Sequence, residues 1–211
     1  GTREAFEKAN DMVNQLTDSA ITVDSNGDMA TKVGQDANGI GYVSLSTDFE
    51  ANNLKALNYE GVEPTEATVL DGTYGMQRPF SYVTREDGDF ADDRTQQLVE
   101  AFIDYLCNST EGQRVVQSAG GIVDLDKTTP WEELKKNHPI VDEDNSDLTI
   151  RTAGSTSVEE TLKAALEAFQ AEAGQFQFTM NQSGSSDGYK RVLGEEKDGA
   201  NAADIGFASR A

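Results

Sequence analysis

Residues 148–158 read Leu148-Thr149-Ile150-Arg151-Thr152-Ala153-Gly154-Ser155-Thr156-Ser157-Val158, and the fold class turns on them. Leu148-Thr149-Ile150-Arg151 alternates as a strand, and Gly154-Ser155-Thr156-Ser157 makes a turn of small residues. Val158, Leu162, Ala165, Leu166 and Phe169 then line one face of a helix. The pattern repeats at once. Phe176, Phe178 and Met180 alternate as a strand, Ser183-Gly184-Ser185-Ser186 opens a helix through Tyr189, Val192 and Leu193, and Asp204-Ile205-Gly206-Phe207 is strand-like. Strand, turn, helix, strand, turn, helix, strand is the order of an α/β domain built on a parallel sheet.

Upstream, Thr129-Pro130-Trp131-Glu132 combines an N-cap, an N1 proline and a capping-box glutamate, so residues 126–147 read as a connector with one short helix. Its acidic end, Asp142-Glu143-Asp144-Asn145, has no reason to be buried. Before it, a helix from Arg94 carries Leu98, Val99, Phe102, Ile103 and Leu106 on one face, and a second from about Ser109 ends at Gly120-Gly121. Arg78-Pro79-Phe80-Ser81-Tyr82-Val83 is extended, because Pro79 pushes its predecessor out of the helical region. Nearer the start, strands are expected at 39–45 and 54–59, and helices at 28–33 and behind Thr2 as N-cap, with Phe6, Ala9, Val13 and Leu16 as the apolar stripe.

Over 211 residues, 17 Lys and Arg face 38 Asp and Glu, a net charge of −21 with the single histidine neutral. Such a chain has no basic face for nucleic acid or for an anionic membrane surface, so neither is an expected partner. No stretch approaches the roughly 18 apolar residues of a membrane-spanning helix, direct membrane insertion is not expected, and no signal peptide is read ahead of Gly1. Cys107 and His138 are the whole supply of soft metal ligands, which excludes a Cys/His zinc site and an internal disulfide. The imbalance is uneven: residues 1–77 hold 4 basic and 13 acidic groups, whereas 148–211 hold 6 and 9. An anion site therefore fits best in the last segment.

The two Gly/Ser/Thr turns are where such a site would lie. The first N–H groups of a helix have no intrahelical acceptor and its dipole is positive there, so a small turn lets an anion approach the backbone. Hydroxyls of Thr156, Ser157 and Ser185 add donors without adding charge. Neither turn is followed by Gly-Lys-Ser/Thr or matches a dinucleotide fingerprint. Capping alone also accounts for each turn taken singly, and Ser157 has Glu160 at capping-box spacing. Asp204 beside the site accepts a hydrogen bond from a protonated anion and repels an unprotonated one, which favours hydrogen phosphate over sulfate. Capping of a strand end, or pairing with Arg210, explains Asp204 equally well.

Ala153-Gly154-Ser155-Thr156-Ser157-Val158, Ser183-Gly184-Ser185-Ser186-Asp187-Gly188 and Asp204-Ile205-Gly206-Phe207-Ala208-Ser209-Arg210, taken in series, resemble the anion-site motifs of PstS-type phosphate-binding proteins of ABC transporters. Gly1-Thr2-Arg3-Glu4-Ala5-Phe6 resembles the end of that family's Ser-Gly-Thr-Arg motif. Gly39 to Ser44, Asp71-Gly72-Thr73-Tyr74 with Arg78-Pro79, and the helix pair 94–119 resemble the family's segments downstream of that motif. The resemblance covers nearly all of the chain except 126–147, with the family's ending first and its beginning last. A segment straddling tandem copies, with 126–147 as linker, or a circular permutation gives this order; the tandem segment is favoured, because a permutant need not lose the few dozen residues that normally join the two parts.

The resemblance implies an α/β, two-lobed fold of the type II periplasmic-binding-protein kind, with mixed, mostly parallel sheets flanked by helices and one lobe incomplete. Residues 1–77 would be part of the second lobe, 78–125 the C-terminal part of the first lobe, 126–147 the connector, and 148–211 the N-terminal part of the first lobe. Inorganic phosphate would be held by Thr156, Ser157 and Ser185, with Asp204 accepting its proton and Gly1 and Thr2 donating from the opposite lobe. Arg78 would be structural. The implied function is extracellular or periplasmic phosphate capture for an ABC-type uptake system, in a protein membrane-anchored at full length, with that transporter's membrane subunits as partners. A cell-surface sensing or interaction module that keeps the fold with weak or no phosphate binding is the alternative. No cofactor is expected. No enzyme is expected either, since no Ser/His/Asp set with a usable histidine, metal cluster or recognisable carboxylate pair is present. Cys107 reads as a packing residue, Trp131 as the anchor of the connector helix, His138 as having no catalytic partner, and the carboxylate runs at 86–93 and 142–147 as solvated loops that do not match an EF-hand.

Overall fold

A computed structural model describes residues 2–209, with Thr2 described by its backbone alone. The chain divides into two compact units, at residues 1–78 and 79–211.

The first unit is mostly turns. Helix α1 is Thr2–Ala9, starting on the residue expected to cap it. Helix α2 is Asn26–Gly34, capped by Ser25, whose side chain accepts from the Asp28 amide at 3.0 Å. Helix α3 is Glu66–Leu70, held by a capping box between Thr65 and Thr68. The strands expected at 39–45 and 54–59 are absent. A strand closes its hydrogen bonds only with a neighbour, and the described residues of this unit offer only an isolated bridge between Tyr59 and Val62. Ile40 is consequently 79% exposed. Stacking of Phe6 on Tyr42, with centroids 4.4 Å apart, ties α1 to the unpaired run.

The second unit has strand β1 (Ser81–Thr84), helices α4 (Asp93–Asn108), α5 (Thr110–Ser118) and α6 (Trp131–Leu134), then β2 (Thr149–Gly154), α7 (Glu159–Glu172), β3 (Gln177–Asn181), α8 (Ser185–Val192) and β4 (Ile205–Ala208). The sheet order is β1-β4-β2-β3. Strand β2 runs parallel to both β3 and β4, and β1 is antiparallel to β4. Alternation along β2 sends Ile150 to one face and Ala153 to the other. On the Ile150 face, Leu98, Phe102 and Tyr105 of α4 meet Leu166 and Phe169 of α7 in the main core. On the Ala153 face, Val192 of α8 packs with Ala203. Helix α8 sits almost on the strands: a Cβ on Gly206 would lie 2.4 Å from the Gly188 carbonyl oxygen.

The connector is part of this core and not a solvated link. Trp131 and Ile140 are buried, and Trp131 meets Tyr105 edge-on at 5.4 Å. Asn145, expected outside, is fully buried. Its amide donates to the Ile140 and Ala173 carbonyls at 2.8 and 3.1 Å, and its oxygen accepts from Arg94 at 3.1 Å. His138 is 2.7 Å from the Asp104 carboxylate of α4.

Asp204, just before β4, is fully buried. Its carboxylate accepts from the Arg151 backbone N–H at 2.8 Å and from the Arg151 guanidinium at 2.9 and 3.2 Å. The hydrogen bonds to Asp204 hold the Arg151 pKa above its ordinary value. The Arg85 guanidinium, 4.0 Å from the same carboxylate, donates to the Ala203 carbonyl at 2.9 Å, to Asp89 and to the Lys197 carbonyl. Strand β2, the residue just after β1 and the residue just before β4 thus share one charge cluster around a buried carboxylate.

Asp204→Ala leaves two guanidinium groups without their buried counter-charge and should lower the unfolding free energy by about 3–5 kcal/mol in urea denaturation. A loss under about 1 kcal/mol would mean that the cluster does not hold the sheet. At the surface, hydrogen bonding to Arg94, at 2.8 Å, keeps the Asp147 carboxyl below its ordinary pKa. A lowered carboxylate pKa stabilises the fold above the unfolded value of about 3.9, and that contribution fades as pH falls through the native value. Asp147→Asn should therefore flatten the acid limb of the stability profile and leave its dependence above pH of about 6 unchanged.

Candidate functional site

The C-terminal ends of β2, β3 and β4 lie side by side, because their register pairs Gly154 with Phe207 and Ala153 with Asn181. In a parallel sheet this edge is where strand-to-helix turns gather and ligands bind. After β2, Ser155 is buried and accepts from the Ser157 amide at 3.1 Å, while its own amide donates to the Phe207 carbonyl at 2.8 Å. The cap of this turn is therefore Ser155 and not Ser157. A short 3₁₀ turn, Thr156–Val158, then leads into the fourteen residues of α7.

The second turn is locked onto the first. The Gly184 amide donates to the Gly154 carbonyl at 2.8 Å, and the Gln182 side-chain amide donates to the Ser155 carbonyl at 3.2 Å. Gly154, at φ 120°, holds a backbone shape that favours glycine, and a Cβ there would lie 2.1 Å from the Phe207 oxygen. Gly184, as N-cap of α8, brings no side chain to the first turn. Ser185 Oγ accepts from the Ser209 amide at 3.2 Å, which ties α8 to the end of β4 and leaves the hydroxyl proton able to donate.

Of the residues expected from sequence, Thr156, Ser157 and Ser185 share this edge, with Thr156 exposed and the two serines half-buried. Asp204 does not join them. It precedes β4 beside Arg151, at the far end of the strand, and its carboxylate is spent on the arginine cluster. Gly1 lies outside the described residues, and Thr2, known by its backbone alone, opens α1 in the other unit. A carboxylate nearer the edge is Asp187, in the first turn of α8, receiving a 2.6 Å hydrogen bond from Ser183 Oγ. The signal for it is the spacing Ser183-x-x-x-Asp187, which sets a hydroxyl and a carboxylate one helical turn apart. No group of three or more His, Cys, Asp or Glu side chains among the described residues could hold a metal ion.

No protein-family model matches the chain. A curated relative from Streptococcus agalactiae serotype V, named phosphate-binding protein PstS 2, is 30% identical over 219 residues, covering 100% of this chain and 66% of its own length. One of the same name from Streptococcus pneumoniae serotype 4 is 29% identical over 218 residues, with the same coverage. The chain thus spans 66% of the length of these curated relatives. A crystal structure of a phosphate ABC transporter, phosphate-binding protein from Streptococcus pneumoniae superposes with a TM-score of 0.78 at 29% identity, covering 100% of this chain and 75% of that one. Its open mixed sheet flanked by helices and its match along the whole sequence place the chain in the family of PstS-type phosphate-binding proteins.

Proposed function

We propose that this chain captures inorganic phosphate for an ABC-type uptake system, as part of an extracellular or periplasmic solute-binding protein that is membrane-anchored at full length. The carrying observation is the meeting of two strand-to-helix turns at one sheet edge, where Ser185 bonds Ser209 and Gly184 bonds Gly154. Such an edge offers helix N-termini and hydroxyls to an oxyanion. The names of the relatives support phosphate as that oxyanion and the membrane subunits of an ABC transporter as the protein partners. The unpaired runs at 39–45 and 54–59 support taking the first unit as part of a lobe whose remaining strands come from outside residues 1–211.

Asp187 takes the role that motif order alone assigns to Asp204. A carboxylate beside the turn accepts a proton-bearing oxygen of hydrogen phosphate and repels sulfate, which has no proton to offer at neutral pH. The same carboxylate favours the second reading, a sensing or interaction module with weak binding, if the other lobe does not compensate for its repulsion.

Titration calorimetry with phosphate and with sulfate separates the two. The capture reading expects saturable phosphate binding, about tenfold weaker in Ser185→Ala, the order of one lost hydrogen bond to a charged ligand. Asp187→Asn should narrow the preference for phosphate over sulfate. Absence of heat with phosphate in the unaltered protein would select the second reading.

A further inference from the structure

A groove of about 290 Å³ opens between β1 and α4, away from the turns at the C-terminal edge of the sheet. Tyr82, Phe90 and Ile103 give it an apolar and aromatic lining, and Asp87, Glu100 and Asp104 bring carboxylates to it. Tyr82 is 42% exposed, so the lining is open to a ligand from solution.

The charges of the groove are not balanced from within. Asp104 is engaged by Asn108 at 2.8 Å and by His138 at 2.7 Å. Asp87 and Glu100 receive only the neutral Gln96 amide, at 3.3 and 3.0 Å, and neither forms an ion pair with a lysine or arginine among the described residues. Arg85 also lines the groove, but its guanidinium is turned to Ala203, Asp89, Lys197 and Asp204 and is neutralised there.

We propose that this groove binds a small organic cation, an ammonium or guanidinium group on a short aliphatic body. The carboxylates of Asp87 and Glu100 take the charged head, by charge-assisted hydrogen bonds of the stronger class. Tyr82 and Phe90 offer ring faces to the same cation, and Ile103 packs against its methylenes. The size sets an upper bound, since about 300 Å³ is the lower end of small-molecule pockets. Phosphate is excluded by the same carboxylates, so the groove is independent of the anion site.

Agmatine and 1,4-diaminobutane are the probes, titrated into the protein at about 150 mM salt, where weak surface attraction is screened over roughly 8 Å. The expected result is saturable binding with shifts of the Tyr82 ring and Ile103 methyl resonances, unchanged by added phosphate. The double variant Asp87→Asn with Glu100→Gln should weaken binding by about tenfold or more. A control that removes two exposed carboxylates elsewhere, Glu167→Gln with Asp198→Asn, should leave it unchanged. Tyr82→Ala, which keeps every charge, should also weaken it. No saturable binding, or equal losses in the groove and control variants, would overturn the proposal, the second result marking attraction to the acidic surface alone.

Discussion

One buried carboxylate holds the second unit together. Asp204 lies between Arg151 on β2 and Arg85 beyond β1, and the strand it precedes is the one that pairs with both. Two guanidinium groups around one carboxylate leave excess positive charge, and Asp89 with two backbone carbonyls absorbs it around Arg85. Buried ion pairs seldom add much net stability, but they penalise any arrangement that breaks them. Sliding β4 by one residue along β2 would part Asp204 from the Arg151 amide as well as from its side chain. The cluster therefore fixes register, and register decides whether Ser185 can reach Ser209 at the other end of the sheet.

A second constraint is the absence of side chains where α8 crosses the strands. Gly188 and Gly206 bring helix and strand backbones so close that a methyl on Gly206 would collide and one on Gly188 would crowd the strand. That proximity carries the first turn of α8 down to the strand ends and sets Gly184 against Gly154. A helix held off by ordinary side chains would leave its N-terminus farther from the turn after β2. The edge where the two turns meet depends on the charge cluster for register and on the glycines for approach.

The elements of the second unit are legible in the sequence because each carries its own period. Alternation at Leu148–Arg151 and the stripe from Val158 to Phe169 correspond to β2 and α7, and the Ser109 cap to the start of α5. The runs at 39–45 and 54–59 are strand-like in composition, yet composition cannot supply the partner strand that turns an extended run into a sheet. Asn145 misleads for a related reason. A polar residue in an acidic run looks solvated until tertiary structure brings Ile140, Ala173 and Arg94 to its amide. For Asp204 the obstacle is strand length. Five steps of extended chain at about 3.3 Å each, across the four residues of β4, put it roughly 16 Å from Ser209, so two residues of one motif stand at opposite ends of a strand. Asp187, by contrast, sits in a helical turn, where residues close in sequence stay close.

The charge of −21 acquires a different meaning once these positions are known. The acidic side chains lie mostly on the solvent surface, where water and salt weaken them over roughly 8 Å. Among the described residues, the charges taken furthest out of water are Asp204 and Arg85 in the cluster before β4, and Glu7, which pairs with Arg3. If the edge where the two turns meet binds an anion as proposed, backbone amides and hydroxyls whose dipoles are fixed by the sheet would do the work. A dipolar site of this kind attracts weakly at long range and strongly at contact, so an acidic surface around it lowers the rate of encounter more than it lowers the strength of the bound state. Under the proposed function, discrimination would be a contact property, resting on whether each oxygen of the ligand meets a donor or, at Asp187, an acceptor.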